Sequence, residues 1–164
     1  MGFFSQRVSR IQASPTISIT AKTKKLKQEG KKIIDFSAGE PDFDTPDNVK
    51  KAAIKAIQDG QTKYTPVNGT KELNEAIIKK FKRENDLIFE PDEITVGCGG
   101  KQVIYNALVA TIEKGDEIII PSPFWVSYPD ITLLVEGNPV VLDCSLENNF
   151  KINPQDLENK ITNR

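Results

Sequence analysis

Apolar positions recur along the chain in two rhythms, and the change between them divides it. Val49, Ala52, Ala53, Ala56 and Ile57 fall at three- and four-residue steps, which places them on one face of a helix. Thr45 is expected to cap that helix, with Pro46 in its first turn and Gly60 at its end. Leu73, Ala76, Ile77 and Phe81 repeat the pattern in a helix predicted over 71–85, where they are expected to form the buried stripe. Glu75 and Lys79 stand four apart on the same helix and are expected to pair. Before these, residues 1–16 read as an arm, and a helix is predicted over 17–28 with Gly30 closing it. A short strand is predicted over 33–36, followed by a turn-rich loop over 37–44.

From residue 94 the rhythm becomes regular. Apolar runs at 94–96, 117–120 and 140–142 predict strands. Helices are predicted over 101–112 and 127–136, the second closed by Gly137, and Asn153-Pro154 opens a last helix reaching about residue 161. Strands alternating with helices of this length define an α/β chain with βαβ units and a mostly parallel sheet flanked by helices. The expected organisation is an N-terminal arm and small-domain segment over 1–45, then the first part of a larger domain over 46–164.

Composition narrows the function without choosing it. With 22 Lys and Arg against 23 Asp and Glu, the net charge of −1 gives no reason to expect nucleic acid or an anionic membrane as partner. No apolar run approaches the length of a membrane span, and Gln6 breaks the acylation pattern that Met1-Gly2 would open. Two cysteines, Cys98 and Cys144, make neither a disulfide framework nor a metal cluster, so a reducing cytoplasm is the simplest compartment. The absence of histidine removes histidine triads and histidine metal sites from consideration. The lysine runs at 22–25 and 79–83 read as solvated helix faces.

Candidate chemistry concentrates where strands give way to helices. Gly97-Cys98-Gly99-Gly100-Lys101-Gln102 joins a predicted strand to a predicted helix. Glycines admit close approach of a ligand, and a helix start offers N–H groups and a positive dipole end to an anion, so the segment suits a phosphate. It also suits a plain tight turn. Its spacing fits neither nucleotide fingerprint, because Gln102 stands where a hydroxyl residue or a third glycine is required. Lys101 opposes the helix dipole, which is explained by an acidic ligand or by simple solvation. Trp125, the single tryptophan, follows a parallel strand at the sheet edge where α/β proteins bind ligands, and it could stack on a flat cofactor or anchor a loop. Gly39 could offer a backbone N–H to a carboxylate and Tyr64 a hydroxyl to a phosphate. A turn glycine and a half-buried tyrosine account for them equally well. Cys98 has no evident base beside it and reads as a turn residue rather than a nucleophile.

Taken together, four segments resemble the class I pyridoxal-phosphate aminotransferases. Ser37-Ala38-Gly39-Glu40-Pro41-Asp42-Phe43-Asp44-Thr45-Pro46 is similar to their N-terminal signature, and Tyr64-Thr65-Pro66-Val67-Asn68-Gly69 to their next motif. Gly99-Gly100-Lys101-Gln102 looks like their cofactor-phosphate turn, and Pro123-Phe124-Trp125-Val126-Ser127-Tyr128-Pro129 like their ring-stacking loop. The order and spacing are those of the family, and the bacterial aspartate aminotransferase subgroup, some of whose members accept prephenate, resembles the chain best. Cys98 departs from the small or hydroxyl residue expected at its place.

The resemblance implies an incomplete fold-type-I aminotransferase whose parent exchanges an amino group, with aspartate or glutamate expected as donor, and a 2-oxo acid by a ping-pong route. Pyridoxal 5'-phosphate is the implied cofactor, and a homodimer the implied assembly. Gly100, Lys101 and Gln102 would hold the cofactor phosphate, Trp125 would stack on the pyridine ring, and Tyr64 would reach a partner's cofactor phosphate. Gly39 would bind the substrate α-carboxylate, Lys101 would read a distal carboxylate, and Trp125 would also contribute to substrate binding. No lysine here matches the motif around the Schiff-base lysine, so no catalytic residue is assigned within the chain. The rival expectation is a non-catalytic truncated chain or one half of a split enzyme.

Overall fold

The computed structural model describes residues 3–11 and 13–164. Met1 and Gly2, read for acylation, lie outside the described residues. The chain forms two compact units, one of residues 1–37 with 99–164 and one of residues 38–98.

In the first unit, α1 (Pro15–Gln28) begins two residues before the predicted start. Ser14 accepts a hydrogen bond from the Ile17 N–H, and Pro15 occupies the first turn, where its missing N–H costs nothing. At the other end the Gly30 N–H donates to Lys27 and the Lys31 N–H to Leu26. Gly30 at φ +78° allows that reversal, as expected of a glycine past a helix end.

The sheet of the first unit is two parallel strands, β1 (Glu117–Ser122) and β2 (Asn138–Asp143), in register from Glu117 opposite Asn138 to Ser122 opposite Asp143. The Ser122 hydroxyl donates to the Asp143 carboxylate across the C-terminal ends. Helix α5 (Ser127–Leu134) connects the strands, and α4 (Gly100–Thr111) precedes them. Ile120 and Leu142 from the strands pack with Ile131 and Val135 of the connection into the buried core. Burying such side chains contributes about 1.5–3 kcal/mol each. The predicted strands at 117–120 and 140–142 are therefore present and slightly longer than read. A short α6 (Pro154–Glu158) follows, capped by the Asn153 side chain, and ends before the predicted residue 161.

The turn from α5 to β2 corrects one expectation. Gly137 was expected to close the helix, but Glu136 takes the left-handed conformation, with φ +65°. Gly137 is needed for space instead. A Cβ there would stand 3.3 Å from the Asp116 carbonyl oxygen and from the Ile112 and Thr132 methyl groups.

The second unit holds α2 (Asp47–Gln58) and α3 (Lys71–Asn85). Pro46, not Thr45, occupies the cap position of α2, and no side chain caps it. Its apolar face exists as a pattern but is exposed, Val49 and Ile57 included. α3 has the predicted bounds, with Thr70 accepting from the Leu73 N–H. Its predicted stripe is not buried: Leu73 is exposed and Ile77 and Phe81 are half-buried, while Asn74 is the buried residue. Phe81 meets Phe89 edge-on at 5.2 Å. Glu75 pairs with Lys71 at 3.8 Å rather than with Lys79, one turn earlier on the same face.

The segments predicted as strands over 33–36 and 94–96 form no ladder among the described residues. A strand is defined by its partner, and local apolarity does not supply one. Ile34 and Phe36 are exposed; Ile94 is buried, and the Val96 N–H makes one bond, to the Asn68 carbonyl.

Candidate cofactor and substrate site

The glycine turn forms because its two glycines do different work. Gly99 caps α4 with φ +98°, a conformation that side chains rarely adopt, and its carbonyl accepts from the N–H groups of Gln102 and Val103. Gly100 is the first residue of α4 and has no positive φ. A Cβ built on it meets no atom within 4 Å. The fold therefore requires glycine at 99 but leaves open space at 100. Open space above the first turn of a 12-residue helix is what a phosphate needs. That first turn carries no acidic residue, and Lys101 adds a cation to it. These residues fit a phosphorylated cofactor on shape and charge.

Trp125 sits between the C-terminal end of β1 and the start of α5, after a cis Ser122–Pro123 bond. Its ring meets Tyr128 edge-on at 5.5 Å, and the Tyr128 N–H donates to the Trp125 carbonyl, which ties the loop to the first turn of α5. The Lys101 ammonium lies 4.7 Å from the centre of the Trp125 ring. Lys101 and Trp125 share a cavity of about 350 Å³ with Ser14, Thr16, Ile17 and Asp130. The structure thus brings Gly100, Lys101, Gln102 and Trp125 to one end of the first unit.

Gly39 and Tyr64 belong to the second unit. Gly39 has open space around it, and Tyr64 is fully exposed, not the half-buried tyrosine of the simpler reading. Sequence reasoning missed Ser14, Thr16, Ile17 and Asp130 as lining residues. The Ser14-Pro15 cap signature was legible and would have carried α1 to the cavity. Nothing in the sequence marks Asp130.

One cluster ties α1 to the segment that follows it in the first unit. The Asp35 carboxylate accepts from the Ser37 hydroxyl at 2.6 Å, the Ser37 N–H at 3.1 Å and the Lys27 ammonium at 3.0 Å. The Thr20 hydroxyl donates to the Ser37 oxygen at 3.3 Å. The Ser37 hydrogen bond, then Lys27, lowers the Asp35 pKa from 3.8 to about 2. Elsewhere, Arg83 first and Lys80 second hold Glu84 below its ordinary value.

The first unit thus gathers a glycine-led helix start, a lysine and a tryptophan that line one cavity, and the C-terminal edge of a parallel strand pair. The match to known proteins is specific: residues 31–164 fit the family "Aminotransferase class I and II", and the chain belongs to that family. It is 59% identical over 160 residues to the aspartate/prephenate aminotransferase of Nitrosomonas europaea, covering 98% of this chain and 40% of that protein. It is 53% identical over 164 residues to the corresponding protein of Cereibacter sphaeroides, covering 100% and 41%. Among solved structures, the aspartate aminotransferase of Rhizobium meliloti superposes with a TM-score of 0.93 at 49% identity, over 99% of this chain and 41% of that one. The Thermus thermophilus aspartate aminotransferase with maleate gives 0.93 at 41% identity, over 99% and 42%. The chain spans about two-fifths of the length of these relatives. Its fold is accordingly part of a fold-type-I aminotransferase, with a partial parallel sheet and flanking helices. Among the described residues, no helix is long and apolar enough to cross a membrane.

Proposed function

We propose that this chain is the N-terminal part of a pyridoxal-phosphate aminotransferase that moves an amino group between aspartate or glutamate and a 2-oxo acid. The observation that carries the reading is the α4 start, where Gly100 leaves space that the fold itself does not use, beside Lys101 and Trp125. Class I aminotransferases use pyridoxal phosphate. When bound, that group supplies an electron sink for the pair released at the substrate α-carbon.

The chain's own residues bind and orient. The N–H groups at the α4 start, at Gly100, Lys101 and Gln102, would hold the phosphate dianion, favoured there by the helix dipole. The Trp125 indole would stack on the cofactor ring and exclude water from one face. The Gly39 N–H would donate to the substrate α-carboxylate, and the Tyr64 hydroxyl would donate to a phosphate oxygen of the partner subunit's cofactor in a homodimer. Lys101 would pair with the distal carboxylate of a dicarboxylic substrate. Maleate, the molecule named with the Thermus thermophilus structure, is a dicarboxylate, and the relatives' names extend the substrate range to prephenate.

These roles need the longer parent. Residues 1–45 would belong to its small domain and residues 46–164 to its large one, in the cytoplasm. The 164 residues alone would bind without turning over, because none of their lysines matches the motif of the Schiff-base lysine. The test is an aspartate/2-oxoglutarate assay of the full-length parent with added cofactor. Exchange of the amino group supports the reading. A parent that takes up the cofactor and exchanges no amino group with any amino acid contradicts it.

A further inference from the structure

Gly69 is enclosed by its neighbours. Its φ is +107°, and a Cβ there would stand 2.8 Å from Val96 Cγ2, 3.0 Å from Asn74 Oδ1 and 3.1 Å from Val96 Cβ. Backbone conformation and space both demand glycine. Around it the loop is fastened twice more. The Gly69 N–H donates to the Pro66 carbonyl at 3.1 Å, closing a turn, and the Val96 N–H donates to the Asn68 carbonyl at 3.1 Å. Asn74, on α3, is 5% exposed, and its Oδ1 has no hydrogen-bond partner among the described residues. A buried acceptor left without a partner is costly, yet the fold keeps this one against Gly69.

Five residues away, at the other end of the same loop, Tyr64 is fully exposed. A loop built only to connect α2 to α3 does not need so close a fit, and Pro66 with the closed turn stiffens the span between. We propose that Gly69, Asn74 and Val96 are positioning residues for Tyr64: by fixing the C-terminal end of the loop they hold the stretch of backbone that presents Tyr64 to a ligand phosphate. A ligand group held in place before binding loses less freedom on binding, and this raises affinity without any new contact. The inference rests on the reading above that Tyr64 donates to a cofactor phosphate.

The test is a titration of the full-length protein with pyridoxal phosphate, followed by absorbance, for the wild type, Tyr64→Phe, Gly69→Ala and the double variant. Tyr64→Phe is expected to weaken binding about tenfold or more, as for loss of a hydrogen bond to a charged group. Gly69→Ala is expected to weaken it as well, and to add nothing in the Tyr64→Phe background, because it acts through that hydroxyl. Losses that multiply in the double variant would reduce Gly69 to a general structural role and overturn the proposal. Val96→Ala removes the methyl groups nearest Gly69 without backbone strain, so it serves if Gly69→Ala does not fold. The same loss, abolished in the Tyr64→Phe background, is expected of it. If Tyr64→Phe weakens binding and neither loop variant does, the positioning role fails alone. If Tyr64→Phe itself leaves affinity unchanged, the phosphate role of Tyr64 fails, and the positioning role with it.

Discussion

The Lys101 ammonium stands 4.7 Å from the centre of the Trp125 ring, so the cation at the start of α4 and the single tryptophan face one cavity. A lysine in the first turn of a helix is electrostatically misplaced unless something compensates. The indole face offsets part of this, by about 0.5–1 kcal/mol at an exposed site. The proposed distal carboxylate would offset more. Replacing Lys101 by Ser in the full-length parent is expected to lower kcat/KM for aspartate and glutamate by about 10- to 150-fold relative to an aliphatic or aromatic amino acid. Steady-state kinetics on the four substrates check it. An equal loss on all would assign Lys101 to the cofactor or the fold.

The turn between α5 and β2 makes an opposite pair of stability predictions. Glu136 adopts φ +65° with a side chain, at a cost of about 1–2 kcal/mol, so Glu136→Gly is expected to raise the unfolding midpoint of the parent. Its ion pair with Arg7, at 4.0 Å and exposed, offers little to lose. Gly137→Ala is expected to lower the midpoint, since its Cβ would press on the Asp116 backbone oxygen. Thermal unfolding of both variants measures the signs.

The Asp35 cluster predicts a pH dependence. Its carboxylate is favoured in the folded chain, with a pKa of about 2 against the ordinary 3.8. A depressed carboxylate pKa contributes stability that is present above the ordinary value and is lost as pH falls through the folded one. Stability that depends on Asp35 is therefore expected to disappear between about pH 4 and pH 2. Asp35→Asn should flatten that part of the curve and leave the slope elsewhere unchanged, as followed by denaturant unfolding across this range.

How far the sequence revealed this chain depended on whether the signal was local. α3 was marked by a helical repeat, and β1, α5 and β2 by strand–helix alternation, all of which act within a few residues. The helix closure at Gly30 was legible for the same reason. The burial of α2 and α3 was not, because an apolar stripe states what a helix could bury and not whether a partner covers it; Ile57 and Leu73 are exposed. The segments 33–36 and 94–96 looked like strands for want of the same information. At the site, Lys101 and Trp125 were singled out separately, but their meeting is a tertiary fact. Gly137 and Glu136 show a finer limit: two adjacent residues could turn the chain, and it is Glu136 that takes the left-handed conformation while Gly137 answers to crowding.

Residues 1–164 expressed alone are expected to form no covalent adduct with pyridoxal phosphate after borohydride reduction and to show no aspartate/2-oxoglutarate exchange. Mass spectrometry and a coupled assay read the two. One stoichiometric pyridoxyl-lysine together with turnover would contradict the assignment of the reactive amine to the longer parent.

The central claim is that the start of α4 holds the cofactor phosphate, and Gly100 tests it most directly. A Cβ built at this position meets no neighbouring atom within 4 Å, so the fold leaves room where the phosphate would sit. Titration of the full-length Gly100→Val variant with pyridoxal phosphate is predicted to show binding weakened by about 10- to 150-fold, the worth of a hydrogen bond to a charged group, with the unfolding midpoint of the cofactor-free protein unchanged. Wild-type affinity in that variant would contradict the account and return the two glycines to turn geometry alone.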